Sequence, residues 1–454
     1  MDAAHSALRA AVREVLPGAR ADLEQLVRIP SVSALPEHDD DVERSAAATA
    51  ELFRAEDFDV QILRSDGGKP AVLAESPGPP GAPTVVLYAH HDVQPVGDLD
   101  AWDSPPFEPT ERDGRLFARG AADDKAGLAA HLAAIRAFNG ELPVTVKVFV
   151  EGEEEIGSPS LAPFAAEHGH LLGADVIVIA DSANWDIGVP ALTTSLRGLV
   201  QARVDVRTLR HAVHSGLYGG AVPDAIMVLN RLLASLHDED GAVAVPGLTG
   251  GPAAVVEYPL ERLRAESGLA DGVQQIGRGT VVERLWTSPA LTVTGIDAPA
   301  VRDASNTLLP TASAMISMRL APGDSCAAAF EQLRGHIEAN TPWGASVDVE
   351  YLEGGEPVAL PAEGPAYDAA RDAMRIAWDG TAPIDMGMGG SIPFISTLTD
   401  AFPSASVLVT GVEDPDTRAH GTNESLHLAE WARACEAEAI LLQQLGGLPA
   451  QSLR

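Results

Sequence analysis

The stretch Thr84-Val-Val-Leu-Tyr-Ala-His90-His-Asp92 is an apolar run that ends in two histidines and an aspartate. A second apolar run, Val144 to Val150, ends just before Glu153-Glu-Glu155, and a third, Val176 to Ala180, ends at Asp181. Largely apolar runs of this length predict strands that are buried on both faces of a sheet. Ligands in such sheets gather beyond the carboxyl ends of the strands. The three endings therefore predict a shared functional site.

The rest of the pattern predicts an α/β fold. A fourth apolar run, Val407 to Thr410, leads into a loop that carries His420. Apolar residues recur at helical spacing over residues 1–28, about 42–53 and about 127–138. Apolar runs that alternate with helices predict a mixed central sheet flanked by helices.

The stretch between Arg197 and about Pro357 has a different order of elements. It predicts strand, helix, strand, strand, helix, strand over 199–206, 221–236, 290–293, 313–320, 326–339 and 346–351. This β-α-β-β-α-β order is typical of a ferredoxin-like α+β unit. A long excursion over 237–289, with a helix near 260–266, interrupts it. We therefore expect an inserted domain at 197–357 between two parts, 1–196 and 358–454, of a first domain.

Composition excludes several classes of function. The net charge of −34 over 454 residues argues against a nucleic-acid partner. No stretch has the ~18 consecutive apolar residues that a membrane span needs, and Met1 to Arg20 lacks the apolar core of a signal peptide. Two cysteines, Cys326 and Cys435, are too few for a disulfide framework, so we expect a reducing, cytoplasmic location.

The histidine and aspartate after the first strand suit a divalent cation such as zinc, which binds imidazole nitrogen and carboxylate oxygen. Residues i and i+2 of an extended chain face the same side, so Asp92 is predicted to orient the imidazole of His90. A satisfied polar turn is the alternative. His91 points the other way and is predicted to take no part.

Asp123-Asp124 precedes a predicted helix. Capping of the helix is one interpretation, but two successive aspartates exceed what a cap needs. The other interpretation is a carboxylate that bridges two metal ions about 3.5–4 Å apart. Lys125 follows directly and is one of only three lysines among 31 basic residues. It belongs to the functional motif or neutralises the two aspartates.

Glu153-Glu154-Glu155 follows an apolar strand and precedes Ile156-Gly157, which makes an exposed acidic surface the weaker interpretation. One glutamate as a ligand and its neighbour as a general base is chemically sensible, because a bound metal lowers the pKa of water to about 7. Asp181 and His420 are weaker signals: the first is also typical of a turn cap, and the second of a polar loop.

Three further signals lie later in the chain. His214, in His211-Ala-Val-His-Ser-Gly-Leu-Tyr-Gly-Gly, is typical of a turn between strand and helix. Arg319 is a lone cation on an apolar strand, where burial requires a partner such as a substrate carboxylate. Gly389-Gly390-Ser391 precedes a predicted helix start and offers backbone N–H groups to an anion.

Together these motifs resemble the co-catalytic zinc peptidases that include carnosinase-type dipeptidases, carboxypeptidase G, aminoacylase and succinyl-diaminopimelate desuccinylase. The resemblance covers nearly the whole chain and is closest to the cytosolic dipeptidase branch. It rests on the segments Tyr88-Ala-His-His-Asp-Val-Gln-Pro, Arg119-Gly-Ala-Ala-Asp-Asp-Lys, Glu151-Gly-Glu-Glu-Glu-Ile-Gly-Ser, His214-Ser-Gly-Leu-Tyr-Gly-Gly and Gly389-Gly-Ser-Ile-Pro.

The resemblance implies a role for each residue. His90 and Asp181 would bind one metal ion, Glu155 and His420 the other, and Asp123 would bridge them. Glu154 would be the general base and Asp92 would support His90. The Asp123-Asp124 peptide, by the same resemblance, would be cis. Zinc is the expected metal, with manganese or cobalt as alternatives.

The substrate site and the assembly are also implied only by the resemblance. The inserted domain would serve as a lid and as the contact of a homodimer. His214 would reach the partner subunit's active site and stabilise an oxyanion. Arg319 would hold the substrate's free carboxylate, assisted by Gly390 and Ser391.

The function implied is hydrolysis of the amide bond of a dipeptide or a similar small substrate with a free C-terminal carboxylate. The alternatives are an N-acyl-amino-acid deacylase or a carboxypeptidase of the same superfamily, and a non-catalytic binding protein on the same scaffold. Gly387-Met388 departs from the dipeptidase pattern, which often has an arginine and an acidic residue there. Ala89 and His91 replace the commoner glycine and tyrosine.

Overall fold

The structure is a computed structural model that describes residues 3–65, 67–251, 256–390 and 393–453. The helices of these residues are α1 Ala3–Val27, α2 Asp39–Arg54, α3 Lys125–Arg136, α4 Leu161–His168, α5 Ser215–Tyr218, α6 Ala225–Ser235, α7 Leu260–Ser267, α8 Cys326–Asn340, α9 Pro365–Ala377, α10 Pro393–Ala401 and α11 Leu428–Gly446. The strands are β1 Asp59–Leu63, β2 Ala71–Ser76, β3 Thr84–His90, β4 Thr110–Arg112, β5 Arg115–Phe117, β6 Thr145–Glu151, β7 Val176–Ile179, β8 Ala191–Leu196, β9 Gly198–Arg207, β10 Val213–His214, β11 Ala290–Asp297, β12 Thr307–Leu308, β13 Thr311–Leu320, β14 Ser346–Gly355, β15 Val358–Ala359, β16 Ile384–Met388, β17 Ser406–Val409 and β18 Ser425–His427.

The chain divides into two compact units. The first contains residues 1–194, 360–386 and 393–454, and the second contains residues 195–359 and 387–392. The division falls within β8 and within β16, because each of these strands begins in the first unit and ends in the second.

The first unit is built around a mixed sheet with the strand order β1-β2-β6-β3-β7-β17-β8. Its central strands β6, β3, β7 and β17 are parallel to one another. The outer strands β1, β2 and β8 run antiparallel to their neighbours. The carboxyl ends of the four parallel strands therefore lie along one edge of the sheet.

Helices flank this sheet, and the predicted α/β fold with a mixed central sheet is confirmed. All four residues of β7 and six of the seven residues of β3 are buried, as expected for strands covered on both faces. The helices α1, α3 and α11 pack on one another, and α9 packs on α11. Helix α3 contributes eleven buried residues, so it lies within the core.

The second unit contains a four-stranded antiparallel sheet with the order β11-β13-β9-β14. Helices α6 and α8 cover one face, where Val200, Val204, Ile316 and Met318 are buried. The order of these strands and helices along the chain is β9, α6, β11, β13, α8, β14. A lid or dimerisation role for this unit remains a prediction.

Several elements differ from the sequence-based expectations in their bounds. Helix α3 begins at Lys125, two residues before the expected start. The helix expected over 221–236 is preceded by the separate short helix α5 and runs only over α6. Strands β4, β5 and β18 form a small three-stranded sheet that was not predicted, because three-residue strands carry too little periodicity.

Two features of the composition are clear in the structure. Cys326 and Cys435 are free and buried. In the described part of the chain, no helix is both long enough and apolar enough to cross a membrane.

Candidate metal centre

The predicted ligands of the first unit follow the carboxyl ends of its parallel strands. His90 is the last residue of β3, and its register partner Glu151 is the last residue of β6. Glu154 and Glu155 begin the short turn of 3-10 helix after β6, and Asp181 lies two residues after β7. His420 comes from the long loop after β17. Parallel pairing of the strands thus brings residues that are distant in sequence to one place.

Asp123 lies between two histidines. Its Oδ1 is 3.1 Å from Nε2 of His90, and its Oδ2 is 3.0 Å from Nε2 of His420. Nε2 of His420 is also 3.2 Å from Oε2 of Glu155. The peptide bond between Asp123 and Asp124 is cis. Each carboxylate oxygen of Asp123 is therefore directed toward a different imidazole, as expected of a bridging carboxylate.

His90 and its neighbours form two groups of side chains that could hold a metal ion. One group is His90, Glu154 and Asp181, and the other is His90, Asp123 and Glu155. Within each group the candidate ligand atoms lie within 4.8 Å of one another. Both groups share the imidazole of His90, which is fully buried.

Asp92 is buried and supports three neighbouring residues. Its Oδ1 accepts the backbone N–H of Glu154 at 3.2 Å, and its Oδ2 accepts that of Glu155 at 3.1 Å. Nδ1 of His90 lies 3.5 Å from Oδ1 of Asp92, and closer, at 3.1 Å, to the backbone carbonyl of the same residue. Asp92 therefore fixes the glutamates as well as the histidine.

The three successive glutamates have separate environments, so the run is not an exposed acidic surface. Glu153 is buried and accepts the backbone N–H groups of Lys69 and Ser160. Glu155 accepts the backbone N–H of Gln94 at 3.0 Å. Glu154 and Glu155 are half-buried. Glu153 thus holds the turn in place while the next two carboxylates remain for the site.

The chemistry of this donor set fits bound cations. Burial, and then the charge of Asp123, raise the pKa of Glu155 to about 7. Burial also raises the pKa of Asp181 to about 6, against the effect of His90. Oε2 of Glu155 is buried and makes no hydrogen bond of good geometry. Crowded carboxylates with a spare oxygen are the donors that divalent cations neutralise.

Asp124 and Lys125 do not play the roles that the local pattern suggested. Asp124 occupies the N-cap position of α3, but its side chain makes no capping hydrogen bond. Its Oδ2 accepts the backbone N–H of His90 at 3.3 Å instead. Nζ of Lys125 is buried and donates to the carbonyls of Leu26 and Ile29, each at 2.9 Å. Lys125 thus ties the end of α1 to the start of α3.

Sequence reasoning missed three side chains at this centre. Gln94 donates from Nε2 to the carbonyl of Glu155 at 3.0 Å. Burial, together with Asp123 and Asp181, raises the pKa of Glu413 well above its usual range. Glu424 is buried and accepts the backbone N–H of Asp123 at 3.2 Å. Of these three residues, only Glu413 has a signal in the sequence, because it lies four residues after the carboxyl end of β17.

The other predicted residues belong to the second unit. His214 ends β10, is exposed, and accepts the N–H of Gly216 at its Nδ1 at 3.0 Å. Arg319 is half-buried on β13, and Gly390 follows β16. Ser391 lies outside the described residues. The substrate-binding roles of these four residues remain predictions.

Comparisons with known proteins agree with this chemistry. The chain is similar to the cysteinylglycine-S-conjugate dipeptidase of Corynebacterium striatum, with 36% identity over 94% of this chain and 95% of that protein. It is 27% identical to the Cys-Gly metallodipeptidase of Saccharomyces cerevisiae, over 84% of this chain and 83% of the relative. The structure of human carnosine dipeptidase 1 matches with a TM-score of 0.82 and 26% identity, over 98% of this chain and 100% of that one.

The family model described as Peptidase family M20/M25/M40 matches residues 86–444, which include every predicted metal ligand. The named relatives are dipeptidases, and one of them is a metallodipeptidase. This chain is accordingly a metallopeptidase and belongs to peptidase family M20/M25/M40.

Proposed function

We propose that the protein hydrolyses the amide bond of dipeptides, or of similarly small substrates with a free C-terminal carboxylate, with two divalent cations. The observation that carries this proposal is the position of Asp123, whose two oxygens lie 3.1 and 3.0 Å from the imidazoles of His90 and His420. The relatives named as dipeptidases support a dipeptide as the substrate.

His90 and Asp181 would hold one cation, Glu155 and His420 would hold the other, and Asp123 would contribute to both sites. When bound, the two cations polarise the substrate carbonyl and lower the pKa of water to about 7. Zinc is the proposed metal. Manganese and cobalt accept the same nitrogen and oxygen ligands and are the alternatives.

Glu154 is the proposed general base. It belongs to the group with His90 and Asp181, and its backbone is held by Asp92. Glu154 accepts the proton of the attacking water and passes it to the leaving nitrogen of the substrate. The neighbouring Glu155 does not act as the base, because its carboxylate accepts the N–H of Gln94 and its own N–H donates to Asp92.

The substrate-binding roles are proposed on the resemblance alone. Arg319, Gly390 and Ser391 bind the substrate carboxylate, and His214 stabilises the oxyanion of the partner subunit's active site. This arrangement requires a homodimer formed through residues 197–357, which light scattering of the purified protein tests. The cytoplasmic location also remains a prediction, and fractionation of the source cells tests it.

Replacement of the base gives the sharpest test of the mechanism. We expect Glu154→Gln to retain both metal ions. Its kcat should fall by roughly 10²–10⁴-fold, which is the typical contribution of a general base. Glu167→Gln, on the exposed surface of α4, is the control and should leave metal content and kcat unchanged. Undiminished turnover in Glu154→Gln would exclude the role.

The substrate class is tested separately. A panel of dipeptides, acetyl-amino acids and succinyl-amino acids should show turnover chiefly of the dipeptides. Turnover of the acylated amino acids alone would support the deacylase instead.

A further inference from the structure

The second unit contains a buried arginine that has no acidic partner among the described residues. Arg197 is only 9% exposed, and its Nη1 donates to the carbonyl of Arg284 at 3.3 Å. Its Nε is buried and has no hydrogen-bond partner in the part of the chain that the structure describes. A buried guanidinium is costly unless a carboxylate or several acceptors compensate it. Arg197 has one weak acceptor, so its charge is left for another group to neutralise.

Arg319 is the neighbouring cation. It pairs in register with Leu199 across β13 and β9, and Arg197 precedes Leu199 by two residues. Arg197 lies between β8 and β9, one residue before β9 begins, so the two arginines belong to the same end of the β9–β13 pair. Burial, and then the charge of Arg319, lower the pKa of Arg197 to about 10. Burial also lowers the pKa of Arg319.

The described side chains offer no carboxylate to either arginine. On β9, Arg203 forms an ion pair with Asp205. Arg197 and Arg319, by contrast, form no ion pair with any residue that the structure describes. Among the described residues of the second unit, no carboxylate therefore compensates these two neighbouring positive charges.

The glycine-rich segment at the end of β16 packs against one of these cations. The backbone N–H of Arg197 donates to the carbonyl of Met388 at 3.0 Å. A Cβ atom at Gly389 would lie 2.9 Å from Nη2 of Arg197, so the backbone at Gly389 packs closely against the guanidinium. At Gly387 a Cβ atom would lie 2.6 Å from Cβ of Trp286. The guanidinium of Arg197 thus packs against Gly389, and Trp286 packs against Gly387.

We infer that Arg197 and Arg319 form a two-cation subsite that favours substrates whose C-terminal residue is aspartate or glutamate. The inference rests on the proposed peptidase function, because a C-terminal residue with two carboxylates neutralises both arginines. A neutral C-terminal residue supplies one carboxylate and leaves one buried guanidinium unpaired. Arginine binds carboxylates through two parallel hydrogen bonds, so both contacts are strong when water is excluded.

Matched pairs of dipeptides test this subsite. We expect the wild type to hydrolyse Ala-Asp and Ala-Glu with kcat/KM at least about tenfold above Ala-Asn and Ala-Gln, because a site built for a polar group rejects the analogue that lacks it. Arg197→Gln should abolish this preference, chiefly through KM. Arg197→Lys should restore part of the preference, because it restores the charge.

The matched control is Arg203→Gln, which removes an exposed arginine from β9 and should leave the preference unchanged. Equal kcat/KM for the acidic and amide substrates in the wild type would overturn the inference, even if Arg197→Gln failed to fold. Such a result, with Ala-Asn still hydrolysed, would leave the peptidase function intact. If the wild type hydrolysed none of the four dipeptides, the proposed function itself would be contradicted.

Discussion

The guanidinium of Arg119 donates from Nη1 to Oε2 of Glu424 at 2.6 Å, and both side chains are buried. Glu424 also accepts backbone N–H groups on the segment that ends in Asp123. Nη2 of Arg119 donates to the carbonyls of His420 and Gly421, each at 3.0 Å. This single ion pair therefore holds together the segments of two proposed ligands, Asp123 and His420.

Disruption of this pair should destabilise the fold and weaken metal binding together. We expect Arg119→Met to cost about 3–5 kcal/mol in the free energy of unfolding, because it leaves the Glu424 carboxylate buried and unpaired. Metal affinity should fall by about 10–100-fold, as for other residues that orient ligands. Urea unfolding and metal titration measure the two effects.

The control for this pair is Asp385→Asn, which breaks the more exposed contact of Asp385 with Arg371. It should cost no more than about 1 kcal/mol. If Arg119→Met behaved like Asp385→Asn in both measurements, Arg119 and Glu424 would have no special part in the site.

Asp123 and Asp181 should differ in their effect on metal content. Removal of the proposed bridge in Asp123→Ala should leave well under one metal ion per chain, because both cations lose a ligand. Asp181→Ala should retain about one ion, because only the cation at His90 is affected. Elemental analysis after dialysis gives the stoichiometry. Equal metal content in the two variants would argue against a bridging role for Asp123.

Lys125 should make stability rise with pH. Burial lowers its pKa to about 7 in the folded state, whereas the unfolded state binds this proton up to about pH 10.4. Since the unfolded state holds more protons between these values, the wild type should gain stability relative to Lys125→Met by at most about 1.4 kcal/mol per pH unit from pH 7 to 10.

Urea unfolding at several pH values measures this difference. Lys147→Met is the control for the lost hydrogen bonds, because Nζ of Lys147 also donates to two carbonyls but is less buried. If the free energy of unfolding of the wild type fell relative to that of Lys125→Met as the pH rose, the prediction would be contradicted.

His131 and Glu438 should act in the opposite direction. Both ring nitrogens of the buried His131 face acceptors, Oε1 of Glu438 at 2.8 Å and the carbonyl of Tyr88 at 2.9 Å. Burial works to lower the pKa of His131, but the charge of Glu438 and these hydrogen bonds outweigh it, so the pKa is raised. A raised pKa in the folded state contributes stability below pH ~6.5 that is lost at higher pH.

The stability advantage of the wild type over Glu438→Gln should therefore be largest near pH 6 and smaller at pH 9. Thermal unfolding at constant ionic strength measures it. When His131→Gln is compared with the double variant His131→Gln/Glu438→Gln, the effect of the Glu438→Gln change should no longer depend on pH. Persistence of the pH dependence in that comparison would assign it to other groups.

The apolar runs at Thr84–His90, Val144–Val150 and Val176–Ala180 were sufficient to predict the central sheet and the edge at which His90, Glu154 and Asp181 lie. Such runs are local, and strands buried on both faces leave a strong signal in the sequence. The same reasoning did not predict the small sheet of β4, β5 and β18. That sheet brings Glu424 beside Arg119, since the N–H of Ala118 donates to the carbonyl of Glu424 at 3.1 Å.

The sequence by itself thus determined which donor side chains end the parallel strands, because hydrophobic periodicity and residue chemistry are properties of short segments. Only the tertiary structure decided that Lys125 turns to the carbonyls at the end of α1 and just beyond it, and that Glu153 holds a turn. It also decided that Arg197 has no carboxylate partner among the described residues. Each of these outcomes depends on which groups are neighbours in space. Burial and pairing arise from contacts between segments that are far apart in the chain, and no local pattern records them.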